Sequence, residues 1–233
     1  MKLTYHDQTI DYHVQYSKRK TLAIGINQDG NIVVKAPVGI PQERIAQLVT
    51  NKAPWIIKKL DEHQKRAVPK KKYVNGELFL FQGKEYPLEI TLDKAVVRAH
   101  LIFDAGFKIT TPTKDLTLYR DLLEIFYRKA TRMLVLERIN HYKKYIQVEP
   151  NRVVIKQQKT RWGSCSSLKN LNFNWKLSMA PPYALDYVVV HEMCHLRHMN
   201  HSKDFWQLVE NILPNYHQGK AWLKENAPRL NLY

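Results

Sequence analysis

The sequence predicts an α+β fold, with a β-rich N-terminal region ahead of a domain built around helices. Three observations carry that expectation. Strand-like runs with turn pairs between them dominate before residue 114, and one long helical pattern follows. The remaining strands and helices do not alternate as a doubly wound sheet requires. At 233 residues with 44% hydrophobic side chains, the chain can bury a full-sized core.

Residues 8–16 alternate apolar and polar side chains, as a half-buried strand does. Residues 21–26 and 32–36 flank Asn27-Gln28-Asp29-Gly30, which predicts a β-hairpin with Asp-Gly turn chemistry. From Pro41 onward, Ile45, Leu48, Val49, Trp55, Ile56 and Leu60 recur at helical spacings. Pro54 has no N–H to donate and is expected to divide this stretch into two helical pieces. The basic stretch 65–72, which contains Pro69, reads as a linker.

Short β-like runs fill residues 73–110, with Asn75-Gly76 and Gln82-Gly83 as turn signals. A long helix is expected from Asp115 or Thr117 to about residue 146. Leu118, Leu122, Ile125, Phe126, Leu134, Leu136 and Ile139 are its candidate core positions. Residues 152–158 and 171–177 read as strands, joined by a Gly- and Ser-containing turn over 162–167. Pro181-Pro182 suits the first turn of the next helix. The organisation expected is therefore 1–72 (hairpin, helix and basic linker), 73–114 (β-rich) and a C-terminal domain over 115–233.

Charge is distributed unevenly. The chain carries a formal net charge of +16. Residues 1–72 hold 14 basic and 6 acidic side chains, 73–114 hold 5 of each, and 115–233 hold 18 and 10. Lys18-Arg19-Lys20 and residues 65–72 are the local clusters. Such an excess is the electrostatic footprint of an anionic partner, nucleic acid or nucleotide among them; the alternative is a set of solvated basic faces. The two cysteines, Cys165 and Cys194, exclude a disulfide-dense secreted module. The first ten residues lack an apolar leader, and no stretch approaches the length of a membrane span. A cytoplasmic protein with no membrane partner is the expectation.

His191-Glu192-Met193-Cys194-His195 decides the chemistry. Two histidines four apart on a helix share a face, about 6 Å apart along its axis, so both imidazoles can reach one Zn²⁺. The glutamate beside the first can act as general base toward a metal-bound water. A catalytic zinc needs a third protein ligand, and His198, His201 and Glu210 compete. His198 shares the helical face but lies about 10.5 Å beyond His191 along the axis. His201 is favoured, because Asn200 tolerates the left-handed conformation that ends a helix and reverses the chain. Glu210 is the carboxylate alternative. Cys194, pointing away from His195, reads as a small core residue.

The surrounding blocks resemble a known family. Thr160-Arg161-Trp162-Gly163-Ser164-Cys165-Ser166-Ser167 with Asn172-Phe173-Asn174-Trp175 is similar to its upstream signature. Ala180-Pro181-Pro182 with residues 185–196, and Asn200-His201-Ser202-Lys203-Asp204-Phe205-Trp206, are similar to its later blocks. Lys20-Thr21-Leu22 and Lys52-Ala53-Pro54-Trp55-Ile56 extend the resemblance over roughly residues 18–226. The family is that of the YgjP-like metallopeptidases, relatives of SprT-like zincins. The resemblance implies a zincin-like metallohydrolase domain with an HExxH active-site helix. It also implies zinc held by His191, His195 and His201, with Glu192 as catalytic base.

Three functions follow as expectations. The first is zinc-dependent hydrolysis of a peptide or protein substrate. The second places a nucleoside triphosphate in the cleft, with Arg161 binding phosphate; no P-loop supports it. The third is a nucleic-acid-associated protease or binding module. Arg161 is the candidate substrate-binding residue, Phe205 and Trp206 are candidates for packing the later helix on the metal helix, and Tyr216 and His217 are candidate oxyanion donors.

Overall fold

The computed structural model describes residues 1–6, 8–27, 30–65, 69–158 and 160–232, with the side chains of 63–65 excepted. The chain forms two compact units, Met1–Val68 and Pro69–Tyr233.

In the first unit, strands Lys2–Tyr5 (β1), Gln8–Ser17 (β2), Ala23–Ile26 (β3) and Ile32–Pro37 (β4) form one sheet in the order β1-β2-β4-β3. The expected hairpin is the antiparallel β3–β4 pair, whose loop is closed by Asn27 N–H donating to the Asn31 carbonyl at 2.9 Å. The Gln28 and Asp29 of its predicted turn lie outside the described residues. A single helix, Gln42–Lys65 (α1), then runs straight through Pro54, against the expected division. The reason is energetic. Ile45, Val49, Ala53 and Ile56 are fully buried against Ile10, Tyr12, Ile32 and Val34. Ile45, Val49 and Ile56, at roughly 1.5–3 kcal/mol each, outweigh the roughly 3 kcal/mol that an interior proline costs. Pro54 itself faces solvent.

The second unit begins inside the expected linker. Residues 66–68 lie outside the described residues, but Lys72 and Tyr73 already donate backbone N–H groups to the Glu77 carboxylate, at 3.1 and 2.5 Å. Lys71 Nζ donates to the Leu78 carbonyl. Strands Leu78–Phe81 (β5), Lys84–Leu92 (β6), His100–Phe103 (β7) and Phe107–Thr111 (β8) form a sheet in the order β5-β6-β8-β7. Helix Leu116–Ile146 (α2) is capped by Asp115, whose carboxylate accepts from Thr117 N–H at 2.8 Å. Its core register differs from expectation. Tyr119, Leu123, Tyr127, Val135, Ile139, Tyr142 and Ile146 are buried, whereas Ile125 and Leu136 are exposed. Tyrosines complete the buried stripe. Tyr127 reaches core depth because its hydroxyl donates to the Leu80 carbonyl at 2.8 Å.

Strands Arg152–Lys156 (β9), Gly163–Cys165 (β10) and Asn170–Asn174 (β11) make a three-stranded sheet in the order β10-β11-β9. The stretch expected as one turn over 162–167 is therefore strand β10 over 163–165, paired antiparallel with β11, and the reversal follows it at Ser166–Lys169. The expected strand over 171–177 ends at Asn174, where a 3-10 turn, Trp175–Met179, begins. Three helices complete the chain: Pro182–Cys194 (α3), Lys203–Ile212 (α4) and Tyr216–Asn226 (α5). The α+β class holds. Among the described residues no helix is long and apolar enough to cross a membrane.

Candidate metal centre

Helix α3 is apolar on most sides. Leu185, Val188, Val189, Val190, Met193 and Cys194 are all buried, so the helix is fixed by core packing before any metal is considered. Helix α5 holds it closely from another side: a Cβ on Gly219 would stand 2.8 Å from both the Tyr183 carbonyl and the Tyr187 Cβ. Glycine there is what lets the two helices approach. His191 and His195, one turn apart, both emerge from the C-terminal end of α3.

The chain reverses earlier than expected. Helix α3 stops at Cys194, and His195 to His198 turn away through bonds from Leu196 N–H to the Met193 carbonyl and from His198 N–H to the Cys194 carbonyl. Asn200 does not adopt the left-handed conformation; its side-chain oxygen instead accepts from Ser202 N–H at 3.2 Å. His201 still lies beside the two histidines at the end of α3. The ligand atoms of His191, His195 and His201 lie within 4.8 Å of one another, and the Nε2 atoms of His191 and His201 face each other at 3.1 Å. Neither His198 nor Glu210 joins the cluster. His198 serves it indirectly: its backbone carbonyl accepts from His195 Nδ1 at 2.9 Å. A carbonyl can only accept, so His195 carries its proton on Nδ1 and keeps the Nε2 lone pair for a metal.

Packing presets the three rings. Phe205, fully buried on α4, sits 5.0, 4.5 and 4.9 Å from the His191, His195 and His201 ring centroids. Trp206 stacks on His201 at 5.7 Å, and Tyr216 stacks in turn on Trp206. This places Phe205 and Trp206 where the sequence suggested. Tyr216 is buried in the stack rather than lining the cleft. Burial first, then the neighbouring His195 and His201, push His191 down to about 3, so it is neutral at any physiological pH. Neutral imidazoles are what a metal requires. Four-coordinate zinc at 2.0–2.1 Å spaces its nitrogen ligands by about 3.3 Å, close to the separation of the two Nε2 atoms. The donor set fits zinc.

Glu192 is 5% exposed, and its burial raises the carboxyl to about 8, against the opposing pull of Arg161. Its position depends on β10. A Cβ on Gly163 would lie 2.6 Å from both Cγ and Oε1 of Glu192. Only glycine leaves room for the carboxylate, a constraint that the spacing of residues in the sequence does not reveal. A cavity of about 490 Å³ joins these groups, lined by Arg161, Trp162, Gly163, Cys165 and Tyr187 together with the three histidines and Glu192. Cys194 is buried away from it, and its thiol is pushed up to about 12.

The YgjP-like, metallopeptidase domain family matches residues 20–226. The chain belongs to the YgjP-like metallopeptidase family. Membership in a metallopeptidase family implies a metal ion, and the three histidines are the cluster among the described residues able to hold one. No curated protein matches the chain. Among solved structures it is similar to the metallopeptidase zymogen of Pyrococcus abyssi abylysin, with 20% identity and a TM-score of 0.36, over 39% of this chain and 93% of that one.

Proposed function

We propose that this YgjP-like protein is a zinc-dependent metallopeptidase with a zincin-like active site, in which His191, His195 and His201 hold the metal and Glu192 is the general base. The convergence of three imidazoles within 4.8 Å beside a buried carboxylate carries the reading. Bound zinc supplies a Lewis acid that acidifies water and polarises a carbonyl. Glu192 takes the water's proton on a carboxylate oxygen and later delivers it to the leaving amine. His195 is held in one tautomer by the His198 carbonyl, so the site is oriented before substrate arrives.

Peptide is favoured over nucleotide by the walls of the cleft. Strand β10 is an edge strand, with β11 on one side and no strand on the other among the described residues. An extended substrate main chain would pair along that edge beside Glu192. Arg161 would bind an anionic group of the substrate. The lining contains this one Arg and no Lys, which is few cations for a triphosphate.

The test is a parallel assay of the zinc-loaded chain on a reduced, unfolded polypeptide and on ATP, with Glu192→Gln as control. Polypeptide cleavage that falls by orders of magnitude in Glu192→Gln, with zinc retained, is expected. Turnover of ATP alone, or equal cleavage by the variant, would overturn the proposal.

A further inference from the structure

The three-stranded sheet has a second edge, formed by β9 on the far side of β11 from β10. Between β9 and α2 lies a groove of about 750 Å³ that shares no lining residue with the metal cleft. We propose that this groove docks an extended acidic segment of a protein, its carboxylates on the cations of α2 and β9 and its main chain along the β9 edge. The site is one of binding and stands independently of the chemistry assigned to the metal cleft.

Charge sets the class of ligand. Arg128, Lys129, Arg132 and Lys143 line the groove from α2 and Arg152 from β9, against one carboxylate, Glu149. Two of these cations are already engaged: Arg128 pairs with Glu124 at 2.7 Å and Lys143 with Glu149 at 3.4 Å. Arg132 donates to the Val153 carbonyl at 3.4 Å and has no carboxylate partner among the described residues. Lys129 and Arg152 have no carboxylate partner among the described residues. An unneutralised cluster inside a concavity attracts an anion and concentrates its field there.

Shape and lining choose a peptide over a nucleic acid. The lining contains no aromatic side chain on which bases could stack. It contains instead aliphatic surface, including Leu136 at 41% exposure. Residues 152–155 of an edge strand form one side, and such an edge pairs with an extended main chain. Side chains of an extended peptide alternate in direction, so acidic residues can meet the cations while apolar ones meet the aliphatic surface. Lys129 to Lys143 covers about 21 Å of helix, the length of roughly six extended residues.

Fluorescence anisotropy on the full-length Glu192→Gln chain, which prevents turnover, tests the site. The probe is a labelled octapeptide of alternating Glu and Val; the comparisons are its Lys–Val counterpart, a backbone N-methylated Glu–Val form and oligothymidylate. Only the acidic peptide should bind, with affinity that falls as salt rises. Arg132→Gln with Arg152→Gln should weaken it by about tenfold or more at an unchanged melting temperature. Lys129→Gln, a change at an exposed side chain, gives a second reading of several-fold should the double variant fail to fold. N-methylation should also abolish binding. Absence of binding at low salt, binding indifferent to these substitutions or to N-methylation, or preferential capture of oligothymidylate by the same residues would each overturn the proposal.

Discussion

Strands β10 and β9 flank the same central strand, β11, yet the two edges are built from opposite materials. At the β10 edge the ionisable groups are withdrawn from water: Glu192 and His195 are buried, and His191 is held neutral by its surroundings. At the β9 edge Lys129, Arg132 and Arg152 stand in solvent. Buried groups have their protonation set by the fold and are costly to disturb. Exposed cations retain full charge and act at a distance. The contrast separates two kinds of charge within the second unit: the metal cleft is lined by a single arginine, whereas five cations line the groove beside β9.

The strongest way to break this contrast is at the ligand set. His201→Ala should lose metal affinity by more than about a hundredfold, beyond what loss of a supporting hydrogen bond costs, while His198→Ala and Glu210→Ala keep it. Metal analysis of the three purified variants decides this. Full occupancy in His201→Ala would dissolve the three-imidazole centre and promote Glu210.

Next in size is the contact between the β10 edge and the base. Gly163→Ala places a methyl 2.6 Å from where Glu192 Cγ and Oε1 now lie. The carboxylate must move, and a displacement of about 1 Å in a catalytic group lowers kcat by about a hundredfold. Metal content should not change. Equal kcat in Gly163→Ala would show that Glu192 has slack and that β10 does not position it.

These two residues also mark what the sequence disclosed and what it hid. His191, Glu192, His195 and His201 were legible because helical spacing fixes the first three and the chain reversal before α4 brings in the fourth. The reversal itself was misplaced: α3 stops at Cys194 through local backbone bonds, Leu196 N–H to the Met193 carbonyl and His198 N–H to the Cys194 carbonyl, which side-chain periodicity does not announce. Gly163 was read as part of a turn; its importance comes from a carboxylate 29 positions away in the sequence, which a Cβ at position 163 would meet at 2.6 Å. The same limit applies to Pro54, where local propensity predicted a break and core packing across the first unit prevailed. The tyrosine-rich stripe of α2 was missed because apolar periodicity counts Ile125 and Leu136 ahead of Tyr119 and Tyr127, whose hydroxyls donate to the Thr113 and Leu80 carbonyls.

A smaller effect concerns pH and the metal-free chain. Unfolded His191 takes a proton below about 6.5, whereas the folded ring, held at about 3, does not. Between those values the unfolded state binds more protons, so stability rises with pH across the window and is lost as pH falls through it. At about 1.4 kcal/mol per unit, acidifying metal-free protein from pH 6.5 to 5 should cost up to about 2 kcal/mol from this group. Denaturant titrations at the two pH values check it. His191→Asn should flatten the slope, and an unchanged slope would assign the acid sensitivity elsewhere.

The smallest expected effect comes from the opposite edge. Lys129→Gln and Arg152→Gln remove cations that have no carboxylate partner among the described residues and lie close to other positive side chains. Surface substitutions of this kind change stability by no more than about 0.5 kcal/mol, and relief of like-charge repulsion pushes the sign toward stabilisation. Metal content and the chevron midpoint should therefore stay at wild-type values. A loss above about 1 kcal/mol in either variant would mean that these side chains hold β9 against α2. They would then be structural, and the contrast between a buried working edge and a solvated charged edge would fail on its second term.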